Sequence, residues 1–210
     1  MKLIHAIMAI VLVIAASVSQ AENYIAGQHY KVLASQTTPR DPSKIEVVEA
    51  FWYGCGHCNH FEPTVQAWKK FLQADVDFYQ IPAQFNRQWK IHAGLFYLTH
   101  ALKVNHKVHQ GIFDSIHKQR KSLFTEGEQK AFLAQYGVSE ADFDKYNDSF
   151  SVRRQMKMAD QMIRTWGISG VPAIIVNGKY LINASSAGGE EKIFDVVNYL
   201  VEKERKALKK

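Results

Sequence analysis

The chain has 210 residues, with 26 Lys and Arg against 20 Asp and Glu, a formal charge of +6, and two cysteines. With 47% hydrophobic and 22% charged residues it has an ordinary globular composition, which excludes wholesale disorder and fibrous low complexity. Two cysteines also exclude a disulfide-stapled miniature scaffold and a zinc site of four thiolates within one chain.

Residues 1–21 read as a secretory signal peptide. Lys2 supplies the positive start, Ile7 to Ala16 is uninterruptedly apolar, and Ser19-Gln20-Ala21 places small residues where a signal peptidase reads. An uncleaved anchor helix is the alternative, but the apolar run is short against a span of about 20 residues. Cleavage after Ala21 would leave a chain beginning at Glu22 in the periplasm, where disulfides persist. No second apolar segment approaches spanning length, so stable membrane insertion is not expected. Lys and Arg are scattered except in the tail KERKALKK, which reads as a solvated helix end rather than a nucleic-acid patch.

Tyr24 to Leu33 alternates apolar residues and is predicted as a short strand, followed by a proline-containing loop from Thr37 to Ser43. Ile45 to Tyr53 is β-branched and aromatic, the pattern of a strand buried on both faces. From Cys55 to Leu72, Phe61, Val65, Trp68 and Leu72 recur at helical spacing, and Pro63 is expected to kink or restart that helix. Val76 to Ile81 is a second strand, ending at Pro82. Strand, helix and strand in succession argue for a parallel βαβ unit.

Helical periodicity then takes over. The spacing predicts helices over Trp89 to Leu102, Lys107 to Gln119, Glu126 to Gln135, Glu140 to Asp148 and Val152 to Trp166. Thr125 with Glu128 fits a capping box, and Ser139 fits an N-cap. Val152, Met156, Ala159, Ile163 and Trp166 line one helix face. This stretch is far longer than an ordinary crossover. The expected organisation is a first part of an α/β domain at 22–82, an inserted helical domain at 83–166, and the remainder of the α/β domain at 167–210. In that last part Ala173 to Val176 and Tyr180 to Ile182 form a hairpin about Asn177-Gly178, and a final helix runs from about Glu190 to Leu208.

The chemistry concentrates at Cys55-Gly56-His57-Cys58, at the strand-to-helix junction. Cysteines at i and i+3 can close a disulfide across one helical turn. At the helix start, Cys55 faces unpaired N–H groups and the positive end of the helix dipole, both of which favour a thiolate. A protonated His57 would add charge. Thiolates attack and leave in disulfide exchange, so Cys55 is the expected reactive sulfur and Cys58 the shielded resolving one. Two bland readings compete: half a zinc site completed by His57 and His60, and a structural disulfide closing a very small loop. The redox reading is preferred because the motif follows a buried strand and opens a helix.

Pro172, after Gly170-Val171 and before a strand, could carry a trans or a cis bond. In a thioredoxin-like fold a cis proline faces the CxxC, and the upstream motif points to cis. Glu49 lies within the apolar strand, either on a solvated face or buried beneath the motif, where it would relay the proton of Cys58. Glu62 reads more simply as solvated, with a proton relay as its second reading. His92, His100, His106, His109 and His117 read as structural. Phe51, Trp52 and Tyr53 are core, or the rim of an apolar peptide groove.

The run EVVEAFWYGCGHCNHFEP, the later GVPAIIVNGKY and the long helical insertion between them resemble the periplasmic DsbA thiol–disulfide oxidoreductases, those of γ-proteobacteria such as pseudomonads especially. The resemblance spans essentially the whole chain after the leader. It implies a thioredoxin-like α/β fold with an inserted α-helical domain. It implies Cys55 as nucleophile, Cys58 as buried resolving cysteine, His57 as main stabiliser of the thiolate, and Pro172 as the cis proline. Val171, Gly56 and Trp52 would contact substrate, and Glu49 and Glu62 match the family's acidic residues. The redox-active Cys55–Cys58 disulfide would serve with no further cofactor and no metal. Reduced, unfolded exported proteins would receive it, and a DsbB-like quinone-linked membrane oxidase would restore it. With no coiled coil or dimerisation segment, a monomer is expected.

Two positions depart from the family pattern. Gly56 stands where most members have Pro, giving the Gly-His dipeptide typical of protein disulfide isomerase. Gln80 stands in about the place of a family lysine. A disulfide isomerase or reductase is therefore the alternative activity, ahead of a peptide-binding chaperone and a metal carrier.

Overall fold

The computed structural model describes residues 24–208, so the expected signal peptide at 1–21 lies outside the described residues. Five strands form one mixed sheet in the order β1-β5-β4-β2-β3. β1 is Lys31–Val32, β2 Ile45–Phe51, β3 Val76–Pro82, β4 Ala173–Val176 and β5 Tyr180–Ile182. β2 runs parallel to β3, with α1 (Gly56–Lys69) as the crossover, and the other pairings are antiparallel.

β2 lies inside the sheet between β4 and β3, and every one of its residues is buried, as its apolar run predicts. Alternation divides it between two cores. Ile45 and Val47 pack with Ile174 and Val176 against α1 and the last helix, α8 (Ile193–Leu208). Val48 and Ala50 pack with Ala173 and Ile175 against the helices between β3 and β4. Those are α2 (Arg87–Ala101), α3 (Asn105–His117), α4 (Glu126–Ala134), α5 (Glu140–Asn147) and α6 (Phe150–Thr165). The helical segment thus shares a core with one sheet face. Phe51 carries that core to the end of β2, its ring centroid 5.1–6.0 Å from those of Tyr53, Phe96, His109 and Phe113.

The capping box at Thr125 and Glu128 forms, and Ser139 caps α5. Two caps extend helices beyond their apolar pattern: Asn86 accepts from Trp89 N–H to start α2, and Ser149 accepts from Val152 N–H to start α6. Asn177 and Gly178 both have positive φ, at 53° and 62°, and Lys179 N–H closes the turn onto Val176 O at 3.0 Å. A one-turn helix, α7 (Ala184–Ala187), and a 3₁₀ turn at Glu190–Lys192 precede α8.

Two expectations need correction. Only Lys31–Val32 of the stretch from Tyr24 to Leu33 is a strand, because a turn through Gly27 (φ 83°) consumes the first half. Pro63 does not restart α1, which runs continuously past it. Pro63 is on the exposed face, while Phe61 and Val65 on the buried face hold the helix to the sheet.

Candidate active site

β2 delivers the chain to the site and α1 receives it. Between them Cys55 N–H donates to Trp52 O at 3.0 Å, a tight turn that leaves Cys55 as the N-cap of α1 with extended backbone (φ −84°, ψ 119°). The Trp52 ring lies over Gly54 so closely that a Cβ there would sit 2.3 Å from a ring carbon, so the turn requires glycine. Cys55 Sγ accepts from Cys58 N–H at 3.4 Å and lies 3.6 Å from Val171 O. The Val171–Pro172 bond is cis, and Pro172 is buried against this corner. Both cysteines are free thiols in this structure.

The two sulfurs are driven in opposite directions. Cys55 is pulled from an ordinary 9.0 down to about 6, first by the Cys58 thiol donating to it. Partial burial opposes that pull; the backbone N–H groups of Cys58 and His57 add to it, and the charge of His57 contributes last. His57 itself is exposed. The helix N-terminus and the partner thiol thus act on Cys55 together with His57. Cys58 is buried, and burial, the neighbouring Cys55 and the charge of Glu49 push its thiol well above the ordinary range.

Beneath the thiols lies a buried carboxyl pair. Glu49 is 1% exposed and Glu62 is 1% exposed. Gln80, paired with Glu49 across the parallel register, donates from Nε2 to Glu49 Oε2 at 2.8 Å and to Glu62 Oε2 at 3.0 Å. Glu49 is pushed up to about 8, first by burial and then by the charge of Glu62. Glu62 is desolvated too, yet sits below the carboxylate range, because His109 and the amides of Gln66 and Gln80 stabilise its charge. The reading of Glu62 as solvated is thus overturned: position 62 follows Cys58 by four residues and shares its buried helix face.

His109, read as structural from the sequence, lies against this carboxyl pair. From α3 it places Nε2 3.4 Å from Glu62 Oε2, and its Nδ1 lies 2.8 Å from Tyr53 Oη. It follows Val108 on the buried face that continues to Ile112, the one signal in the sequence that it points inward. The other histidines fit their structural reading: His92 and His117 contact Ser122 O and Tyr53 O at 2.9 and 2.7 Å, and His100 and His106 are exposed.

A groove of about 300 Å³ opens beside the motif, lined by His57, Ile168, Val171, Pro172, Leu181 and Asn183. Across the thiols Trp52 stacks on Trp89 at 4.2 Å between centroids, and Phe85 leans on Trp89 at 4.8 Å. Gly56 is exposed, with no atom within 4 Å of where a Cβ would stand. Phe51 and Tyr53 are fully buried, so of the three aromatics before the motif only Trp52 reaches the rim. His60 is exposed and 3.7 Å from Glu190.

Comparison with known proteins matches residues 57–199 to the family described as DSBA-like thioredoxin domain. The chain is 43% identical over 192 residues to the thiol:disulfide interchange protein DsbA of Pseudomonas aeruginosa, covering 91% of each chain. It is 46% identical over 193 residues to the protein of the same name from Azotobacter vinelandii, covering 92% of this chain and 90% of that one. Among solved structures, the crystal structure of Pseudomonas aeruginosa DsbA superposes with a TM-score of 0.85, covering 89% of this chain and 97% of that one at 43% identity. The oxidoreductase DsbA from Xylella fastidiosa gives 0.80 at 30% identity, covering 86% and 97%.

Proposed function

The chain belongs to the DsbA family of thioredoxin-fold thiol:disulfide oxidoreductases, and from that premise we propose that it donates a Cys55–Cys58 disulfide to newly exported, reduced polypeptides in the periplasm. The observation that carries this reading is the opposed pair of thiols, Cys55 lowered to about 6 and Cys58 buried and raised. A dithiol whose more accessible sulfur is comfortable as a thiolate is stabilised when reduced, and so gives its disulfide away.

The exchange follows from the geometry. A client thiolate attacks Cys55 Sγ; the bond to Cys58 breaks, and its electron pair leaves on Cys58 Sγ. A thiolate at that buried position is costly, so it takes a proton from the Glu49 carboxyl, which later recovers one from solvent. The client's second thiolate then attacks its own sulfur in the mixed disulfide and expels Cys55, a good leaving group because its thiolate is stabilised. The groove beside Val171 and Pro172 seats the extended client chain, and Gly56 and Trp52, on either side of Cys55 in the sequence, supply further contacts with it. Electrons reside on the two sulfurs, so the reaction needs no cofactor.

The same chemistry requires an oxidant to restore the disulfide. We assign that to a DsbB-like, quinone-linked membrane oxidase, with the chain itself acting as a soluble monomer after loss of its leader. No helix among the described residues is long and apolar enough to cross a membrane. Gly56 favours an isomerase as the second reading, and one experiment separates the two. The oxidised protein is mixed with a fully reduced client and, separately, with a scrambled one. A donor oxidises the first faster than it reorders the second, and Cys58→Ser accumulates a mixed disulfide through Cys55. Reordering without net oxidation would overturn the donor reading.

A further inference from the structure

Resting on the exchange reading above, we propose that His109 is a positioning residue of this reaction: by holding Glu62 as a carboxylate it keeps the proton of the buried carboxyl pair on Glu49, the carboxyl that serves Cys58. Two carboxyls joined through one Gln80 amide group cannot both remain ionised cheaply in a buried site. Something must decide which of them holds the proton. Gln80 donates to both and is uncharged, so it does not choose. Gln66 Nε2 donates to Glu62 Oε1 and favours Glu62 as the carboxylate, and His109 adds to that side an ionisable imidazole that faces Glu62. Its Nε2 lies 3.4 Å from Glu62 Oε2, long for a directed hydrogen bond, and has no other hydrogen-bond partner among the described residues. It makes no comparable contact with Glu49. An imidazole N–H or charge on that side stabilises the carboxylate of Glu62 alone.

The surroundings agree. The groups facing Glu49 are Cys58, Glu62 and Lys69 on α1 and Gln80 on β3. Those facing His109 are Glu62, Tyr53 after β2, and His100 on α2. His109 therefore reaches Glu49 only through Glu62, whose negative charge adds to burial in keeping Glu49 protonated. The side chain comes from α3, in the helical segment, so that segment sets the protonation beneath thiols carried by β2 and α1. Tyr53 Oη at Nδ1 fixes the ring orientation.

The test follows the reduction of the oxidised protein by reduced glutathione from pH 5 to 9, with rates expressed per glutathione thiolate. Wild type, His109→Gln, Glu62→Gln and the double variant are compared. In wild type the rate should fall as Glu49 loses its proton near pH 8. In His109→Gln the fall should move down by roughly one pH unit or more, which at pH 7 slows the reaction about twofold or more. Glu62→Gln should move it in the same direction, and adding His109→Gln to Glu62→Gln should move it no further. A profile unmoved by His109→Gln, or moved equally in the Glu62→Gln background, overturns the proposal. Should His109→Gln fail to fold, an unmoved Glu62→Gln profile overturns it alone. A wild type that glutathione does not reduce would instead overturn the exchange reading on which this rests.

Discussion

The lowered pKa of Cys55 makes a quantitative demand on how the two redox forms differ in stability as pH changes. A thiol held at about 6 against an ordinary 9.0 contributes stability to the folded, reduced protein. That contribution is fully present above the ordinary value and is lost as pH falls through 6. Linkage makes it about 1.4 kcal/mol at pH 7, and screening at a half-buried sulfur reduces it to roughly 0.7 kcal/mol. At pH 5 it is close to zero. The oxidised protein has no such thiol and gains nothing. Contributions common to both forms largely cancel in the difference. Urea unfolding of the reduced and oxidised proteins between pH 5 and 8 should show the reduced form's advantage growing with pH. The thiolate absorbance should titrate near pH 6. An advantage that stays flat across that range, or a thiolate midpoint at pH 8 or above, would refute the reasoning.

His57→Ala should raise Cys55 from about 6 yet leave it below an ordinary thiol, since the backbone donors and the Cys58 thiol remain; a return to an ordinary midpoint in the thiolate absorbance would count against the ordering of causes. Gly56→Pro should raise the melting temperature by roughly 1–4 °C, because the site is the first residue of α1, a Cβ meets open space and Cys55 is already extended. A lower melting temperature would contradict that. Glu204→Ala should cost roughly 2–4 kcal/mol in urea unfolding, because Glu204 is buried and accepts from Asn177, Lys179 and Tyr180 at 2.5–2.9 Å. A loss under about 1 kcal/mol would mean that the donors find other partners.

Much of this fold is legible because local pattern and tertiary role coincide. The apolar run of β2, the Asn-Gly turn and the Thr125–Glu128 box are each specified within a few residues. The dithiol is legible for the same reason, since i, i+3 spacing at a helix start contains its own chemistry. The shell beneath it is legible only in part: burial of Glu49 under the motif is one of its two readings and the family resemblance brings in Glu62 and Gln80, but nothing announces His109. Glu49, Glu62, Gln80 and His109 come from four elements, and no spacing along the chain announces that they meet. Glu62 could have been suspected from its helical face, shared with Cys58; His109 only from the buried stripe of α3. Pro63 misled because its cost depends on which face it occupies, which periodicity alone left unweighed.

Equilibrating the protein with glutathione buffers, followed by tryptophan fluorescence, to which Trp52 next to the motif contributes, tests the claim of disulfide donation most directly. DsbA itself has an established potential of about −120 mV and protein disulfide isomerase about −180 mV, with thioredoxin at about −270 mV. A value between about −120 and −180 mV is expected for this dithiol with its stabilised Cys55 thiolate. A value near −270 mV would mean that the pair holds its disulfide and reduces its partners, and would contradict the account.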